Sequence, residues 1–308
     1  AEKVKIAKFV DRQNILPGLL AVFIASLFIS TAIAVETYPK LVDTEWLANN
    51  LSKENLRIVD TRDNVKDYWQ EHIPGAVYLS PDALRWPEHG VPVKLMRPGS
   101  LASLVGSMGV DAKTMVVVYS EKGDYKAPYL IWALDYLGHA SSAILDGGFS
   151  KWKSERRPLT QDYPRIKTKN YAFRLRRDIR ATLDDVKKAV SQGDAVLIDV
   201  RPVELYTGEK GDWKRKGHIK GFISHFWGED LKANGTWKDK EELAKIYEDL
   251  GATPDKTIIV SCGQGQMSAH SYFTLKHILG YRKVKNYDGG FNEWSNIEDL
   301  PVETGMER

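Results

Sequence analysis

The stretch "TIIVSCGQGQMSAH", residues 257–270, decides how this chain reads. A β-branched run, Thr257-Ile-Ile-Val260, leads into a cysteine, then a loop with glycines at 263 and 265. Helical spacing follows from about Ser268 to Leu279. Short apolar runs bounded by turns and helices read as buried parallel strands, so the unit is strand, loop, helix. Cys262 is the only cysteine in 308 residues. Glycine permits backbone angles closed to other residues, so the loop can turn successive N–H groups inward as an anion nest. The helix N-terminus adds positive potential at the same point. Both effects favour thiolate over thiol, and the same cradle suits an anionic adduct on the sulfur, such as a persulfide. The competing reading is a small buried side chain, the usual fate of an unpaired cysteine.

The same unit occurs earlier in the chain. "VVVYS…LG…LDGGFSKW" (116–152) and "IIVSC…LG…YDGGFNEW" (258–294) align without gaps. Upstream, "RIVDTR" (57–62) matches "LIDVR" (197–201), and "EHIPGA" (71–76) matches "GHIKGF" (217–222). The second copy carries an insertion between Arg201 and His218 that contains "EKGDWKRKG". "TEWLANNL" and "TLDDVKKAV" each open on Thr as a candidate N-cap. The whole is therefore two α/β domains, 39–156 and 179–308, joined by a polar, basic linker at 157–178. Ser120 occupies the place of Cys262 in the first copy, followed by Glu121, Lys122, Gly123 and Asp124. Two carboxylates there repel an anion, and Pro128 intrudes early in the helix. The first copy reads as chemically silent and the second as equipped.

The formal net charge is +3, and most of it sits in residues 1–14, which is no electrostatic footprint for nucleic acid. A single cysteine excludes an internal disulfide framework and any multi-cysteine zinc site, and no ligand spacing suggests a metal. Residues 15–35, "ILPGLLAVFIASLFISTAIAV", carry no charge. As a helix they span about 31 Å, one bilayer core. Basic residues precede them, which places the N-terminus in the cytoplasm and the domains on the periplasmic side. Residues 1–38 are thus expected to be a stub and membrane anchor. The alternative is a signal segment cut near Ala34, giving a soluble periplasmic protein.

The chain resembles the tandem-domain rhodaneses, the thiosulfate and 3-mercaptopyruvate sulfurtransferase family. Tyr68-x3-His72-Ile-Pro-Gly-Ala76-x2-Leu79 is similar to the family's N-terminal signature, and Val284-x2-Tyr287-Asp-Gly-Gly-Phe291-x-Glu293-Trp294 to its C-terminal one. With the repeat they cover about residues 39–304. The resemblance implies two rhodanese-like domains, each a mostly parallel sheet flanked by helices, the first inactive and the second catalytic. It implies that Cys262 takes the outer sulfur of a small anionic donor, as a covalent persulfide, and passes it to a thiol or other nucleophilic acceptor. No metal or organic cofactor is implied. Main-chain N–H groups of Gly263, Gln264, Gly265, Gln266, Met267 and Ser268 are expected to hold the sulfur anions. Arg201 resembles the family's substrate-anion arginine, and guanidinium suits a sulfonate or carboxylate. Its repeat partner Arg62 lies in the silent copy, so a structural ion pair is the other reading, with Asp199 ordering the neighbouring loops.

Thiosulfate-type members carry Cys-Arg-Lys-Gly-Val-Thr at the loop, and mercaptopyruvate-type members Cys-Gly-Ser-Gly-Val-Thr. Here the loop carries no cation, Met267 takes the threonine position and the hydroxyl follows at Ser268. Donor choice stays open. Lys214, Arg215 and Lys216 on the insertion are candidates for a rim that draws in anions, or a solvated loop. His270 and His277 share a helix face and are assigned to packing or the surface. A phosphatase-like Cys-x5-Arg loop is disfavoured because position 268 is serine. The rival class is a non-catalytic scaffold subunit or sulfur carrier tethered in a membrane complex.

Overall fold

The computed structural model describes residues 39–306. The segment 15–35, read above as an anchor or signal, lies outside the described residues. Among the described residues, no helix is long and apolar enough to cross a membrane.

The first copy runs β1 (Leu41–Val42), α1 (Thr44–Asn50), β2 (Leu56–Asp60), α2 (Val65–Gln70), β3 (Ala76–Tyr78), β4 (Arg85–Glu88), β5 (Val91–Leu95), α3 (Pro98–Ser107), β6 (Met115–Tyr119), α4 (Lys126–Tyr136), β7 (Ser142–Leu145) and α5 (Gly148–Ser154). Its parallel sheet has the order β1-β7-β6-β2-β3, while β4 and β5 form a separate antiparallel hairpin. Asp43, not Thr44, caps α1: its carboxylate accepts the Trp46 N–H at 2.6 Å. A charged oxygen one residue earlier matches the helix dipole better than a hydroxyl.

The second copy runs α6 (Leu183–Gln192), β8 (Ala195–Asp199), α7 (Val203–Tyr206), β9 (His218–Ile219), β10 (Ile223–Ser224), α8 (Lys240–Asp249), β11 (Thr257–Ser261), α9 (Met267–Phe273), β12 (Val284–Tyr287), α10 (Gly290–Ser295) and β13 (Val302–Glu303). Its parallel sheet is β10-β8-β11-β12. The counterpart of β1 shrinks to a single parallel bridge between Arg180 and Asn286. Thr182 caps α6 as read, in a reciprocal box with Asp185. The expected helix to Leu279 is interrupted: α9 ends at Phe273 and passes into a π turn over Thr274–Ile278. The Thr274 hydroxyl there donates to the buried Asp230 at 2.7 Å.

Alternation along the strands sorts the core into layers. Met115, Val117 and Tyr119 face an outer layer with Phe149 and Trp152. Val116 and Val118 face inward, into a cluster that also holds Ile258, Val260 and Cys262. That shared cluster joins the copies: α4 packs on α9, with Tyr129, Trp132 and Tyr136 in the same apolar body as Ala269, Tyr272 and Phe273. Residues 155–178 are strapped to the first copy. Thr160 bridges His72, and Lys169, Arg174 and Arg176 donate main-chain N–H groups to Gly106, Leu137 and Tyr136.

Candidate active site

Cys262 follows β11 directly, at the carboxyl edge of the parallel sheet, where open α/β sheets place their ligands. Two N–H groups from the first turn of α10 clamp the loop backbone. Phe291 donates to Cys262 O at 2.8 Å and Asn292 to Gly263 O at 2.9 Å. The first copy is clamped identically, Phe149 to Ser120 and Ser150 to Glu121 at 2.9 and 2.8 Å. The paired "DGGF" segments therefore fix the loop in both copies. What sits on the loop separates them.

The Cys262 sulfur accepts the Gly265 N–H at 3.1 Å and lies 3.5 Å from the Ser268 hydroxyl. Gly265 has φ of +80°, and a Cβ there would stand 2.4 Å from Asp288 Cα, so only glycine turns this N–H inward. Ser268 Oγ in turn lies 2.6 Å from Asn286 Oδ1, and Asn286 Nδ2 donates to Gly265 O at 2.9 Å. Asn286 thus ties hydroxyl and loop together from β12. Its counterpart is Ile144, and that of Ser268 is Lys126. Of the six expected inward N–H groups, from Gly263 to Ser268, only that of Gly265 is bonded to the sulfur, and the Ser268 hydroxyl, 3.5 Å away, gives its proton to Asn286.

Cys262 is only 2% exposed, yet it is not sealed in the core. It lines a cavity of about 200 Å3 with Arg201, Leu205, Trp213, Gly263, Gln264, Gln266 and Met267. Arg201 is fully buried. Its Nε and Nη2 bind Asp199 at 2.9 and 2.6 Å, Nη2 also donates to Gly217 O at 2.8 Å, and Nη1 has no partner among the described residues. The structural reading of Arg201 is what the bonds show: one edge of the guanidinium is an ion pair with Asp199, and Nη1 alone is without a hydrogen-bond partner among the described residues. Arg62 repeats the pair with Asp60 at 2.7 Å, but its surroundings include Asp67, Glu71 and Glu121.

The insertion contributes an aromatic wall rather than a cationic rim. Trp213 stands edge-on to Phe291, with ring centroids 5.5 Å apart, and its ring lies 5.1 Å from the Arg201 guanidinium carbon. A Cβ on Gly263 would come within 2.6 Å of Trp213. Lys214 pairs with Glu298, and Arg215 is spent on the carbonyls of Trp294, Ser295, Ile297, Glu298 and Leu300 around the end of α10. His270 is buried against Trp237, and His277 pairs with Asp135 of the first copy at 2.5 Å. His277 therefore joins the copies instead of facing solvent.

The first copy also reaches the site. Arg85, on β4, donates from Nη2 to Gln264 Oε1 at 2.6 Å. Leu95, on β5, donates its N–H to Asp288 at 3.0 Å, and Arg180 grips the same carboxylate through two bonds of 3.0 Å. Buried beside them, the Tyr129 phenol is pushed well above its ordinary range, first by burial and then by the charge of Asp288. Sequence reasoning missed Trp213, Leu205, Asn286 and Arg85. Asn286 was detectable as a polar residue where the first copy has isoleucine. Arg85 left no signal, because its role depends on how the copies pack.

The rhodanese-like domain model matches twice, at residues 43–155 and 182–297. The chain is 36% identical over 279 residues to the sulfur carrier protein TtuD of Thermus thermophilus, covering 87% of this chain and 97% of that protein. It is 31% identical over 277 residues to a thiosulfate sulfurtransferase of Corynebacterium glutamicum, covering 86% and 91%. Among solved structures, the 3-mercaptopyruvate sulfotransferase SseA of Escherichia coli is similar at 30% identity and a TM-score of 0.75, covering 82% of this chain and 99% of that one. The anaerobic ergothioneine biosynthesis enzyme of Chlorobium limicola is similar at 25% identity and a TM-score of 0.79, covering 89% and 72%.

Proposed function

The chain belongs to the rhodanese-like family and is a sulfurtransferase, and on that premise we propose that Cys262 carries the sulfur, with Arg201 and the 263–268 loop holding the donor. The observation that supports this most is the Cys262 sulfur, bonded to the Gly265 N–H at 3.1 Å, in a residue that lines one cavity with Arg201, whose Nη1 has no partner among the described residues.

In the first half-reaction the Cys262 thiolate attacks the outer sulfur of the donor. With thiosulfate the S–S bond breaks, and sulfite leaves with the electron pair. With 3-mercaptopyruvate the C–S bond breaks, and the thiol proton ends on the carbon of pyruvate. Either way the product is a Cys262 persulfide anion, which the Gly265 N–H is placed to stabilise. A nucleophilic acceptor then attacks the outer sulfur and restores the thiolate, so ping-pong kinetics are expected.

Mass spectrometry after incubation with thiosulfate or 3-mercaptopyruvate tests this. A gain of one sulfur atom on Cys262, lost on adding cyanide and absent in Cys262→Ser, is the expected result. Sulfur transfer that survives Cys262→Ser overturns the assignment. The identity to a protein named a sulfur carrier supports a second reading, in which the persulfide is held for delivery to a protein. Slow turnover with small acceptors, despite full loading, would favour it. We extend the proposal to residues 15–35 as a membrane tether that leaves the domains on the periplasmic side. Release of the full chain from membranes by a carbonate wash would overturn that part.

A further inference from the structure

The catalytic loop has no cation of its own, yet a guanidinium rests on it. Arg85 comes from the first copy, and its Nη2 donates to Gln264 Oε1 at 2.6 Å. Its other charge contact is weak: Nη1 lies 3.3 Å from Asp82, whose side chain is 80% exposed and screened by water. Arginine can only donate, whereas a carboxamide has one accepting and one donating end. Arg85 therefore dictates which way Gln264 faces. The oxygen is turned to the guanidinium, and the Nε2 amino group is left over. That group has no acceptor among the described residues, and Gln264 lines the Cys262 cavity.

The hairpin that carries Arg85 is anchored beside the loop. The Leu95 N–H binds Asp288 at 3.0 Å, and Lys94 binds Glu293 at 3.3 Å. Arg85 is thus held by β4 and β5 as a fixture of the interface between copies, not as a mobile surface side chain.

We propose that Arg85 is a positioning residue for the Cys262 site: by fixing Oε1 of Gln264 it presents the Gln264 amino group, alongside Arg201 Nη1, to the anionic end of the sulfur donor. The first domain, silent in chemistry, thereby completes the anion site of the second. This rests on the Cys262 cavity being the donor site.

Thiosulfate binding to Cys262→Ser protein, measured by calorimetry, reads the effect without turnover. Gln264→Leu removes the amino group, and the dissociation constant is expected to rise about tenfold, the value of one hydrogen bond to a charged group. Arg85→Ala frees the amide to turn and is expected to raise it about three- to tenfold. Arg85→Lys, also a pure donor, restores part of the loss. Because Arg85 acts through Gln264, adding Arg85→Ala to Gln264→Leu changes nothing further. Unchanged dissociation constants in the single variants overturn the proposal. So do additive losses, which would make Arg85 a direct charge on the anion, and so does a loss explained by a matching fall in melting temperature. Failure of wild-type Cys262 to acquire sulfur would instead sink the assignment of the cysteine, a separate measurement.

Discussion

Asp146 and Asp288 hold the same post in the two copies, and each accepts a main-chain N–H from the opposite copy. Trp237 donates to Asp146 and Leu95 to Asp288, both at 3.0 Å. The copies clasp each other reciprocally through the aspartate of their "DGGF" segments. The clasps differ in what lies beside them. Asp288 stands against Gly265 and is gripped by Arg180. Asp146 lacks an equivalent arginine among the bonds the structure shows, and burial raises its carboxyl above the ordinary range.

Asp288→Asn should therefore cost both stability and activity. It leaves Arg180 without its buried counter-charge and loosens the wall behind Gly265. A loss of about 2–3 kcal/mol is expected from breaking a buried, hydrogen-bonded charge contact. Asp146→Asn should cost less stability and leave the donor KM unchanged, because its loop carries Ser120. Paired denaturation curves and steady-state kinetics check this. Equal KM effects in the two variants would show the clasp to be purely structural.

Arg62 and Arg201 offer a second matched pair. Each holds an aspartate two residues before it, at 2.7 and 2.6 Å. Lysine can keep one ion-pair contact but loses the planar fork. Both Arg62→Lys and Arg201→Lys should destabilise, by about 1–3 kcal/mol. Only Arg201→Lys should also raise the KM for thiosulfate, about tenfold or more, because of the two arginines only Arg201 lines the cysteine cavity. An unchanged KM in Arg201→Lys would remove Arg201 from the donor site.

Much of this was legible in the chain itself. Parallel sheets follow from apolar runs alternating with helical segments, although their strand order does not, and the matching "DGGF" segments reveal the repeat before any coordinates. Cys262 against Ser120, and Gln266 against Asp124, already distinguish the two loops in the sequence. Three features were hidden for three different reasons. Trp213 sits in an insertion whose charges drew attention to Lys214 and Arg215, while its indole does the walling. The π turn after Phe273 answers to the buried Asp230, a tertiary partner far along the chain. Arg85 acts across an interface that no local pattern encodes.

Trp213 should set how large a donor the site accepts. Its ring bounds the cavity and leaves no room for a side chain at 263. Trp213→Ala should admit a bulkier donor such as benzenethiosulfonate, narrowing its disadvantage against thiosulfate about tenfold, the scale of one lost apolar wall. Gly263→Ala should cut activity through the clash with the ring, and Trp213→Ala should relieve it in the double variant. A double variant no better than Gly263→Ala would place the glycine requirement in the backbone instead.

Asp230 makes the second domain sensitive to acid. It is fully buried behind α9, where it receives His225 Nε2 at 2.9 Å, the Tyr247 hydroxyl at 2.9 Å and the Thr274 hydroxyl at 2.7 Å, with His270 Nδ1 at 3.6 Å. Burial alone would raise its carboxyl, but the hydrogen bond from His225 and the nearby His270 hold it well below the ordinary range. A depressed folded value means that the unfolded chain binds the proton first. The stabilisation is complete above the unfolded carboxylate value, about pH 3.9, and drains away as pH falls below it. For one such proton the slope approaches about 1.4 kcal/mol per pH unit. Urea melts between neutral pH and about pH 3 should show that slope in the wild type, shallower by up to one proton in Asp230→Asn. Parallel slopes in the two proteins would mean that Asp230 titrates alike in folded and unfolded chains, and that acid acts elsewhere.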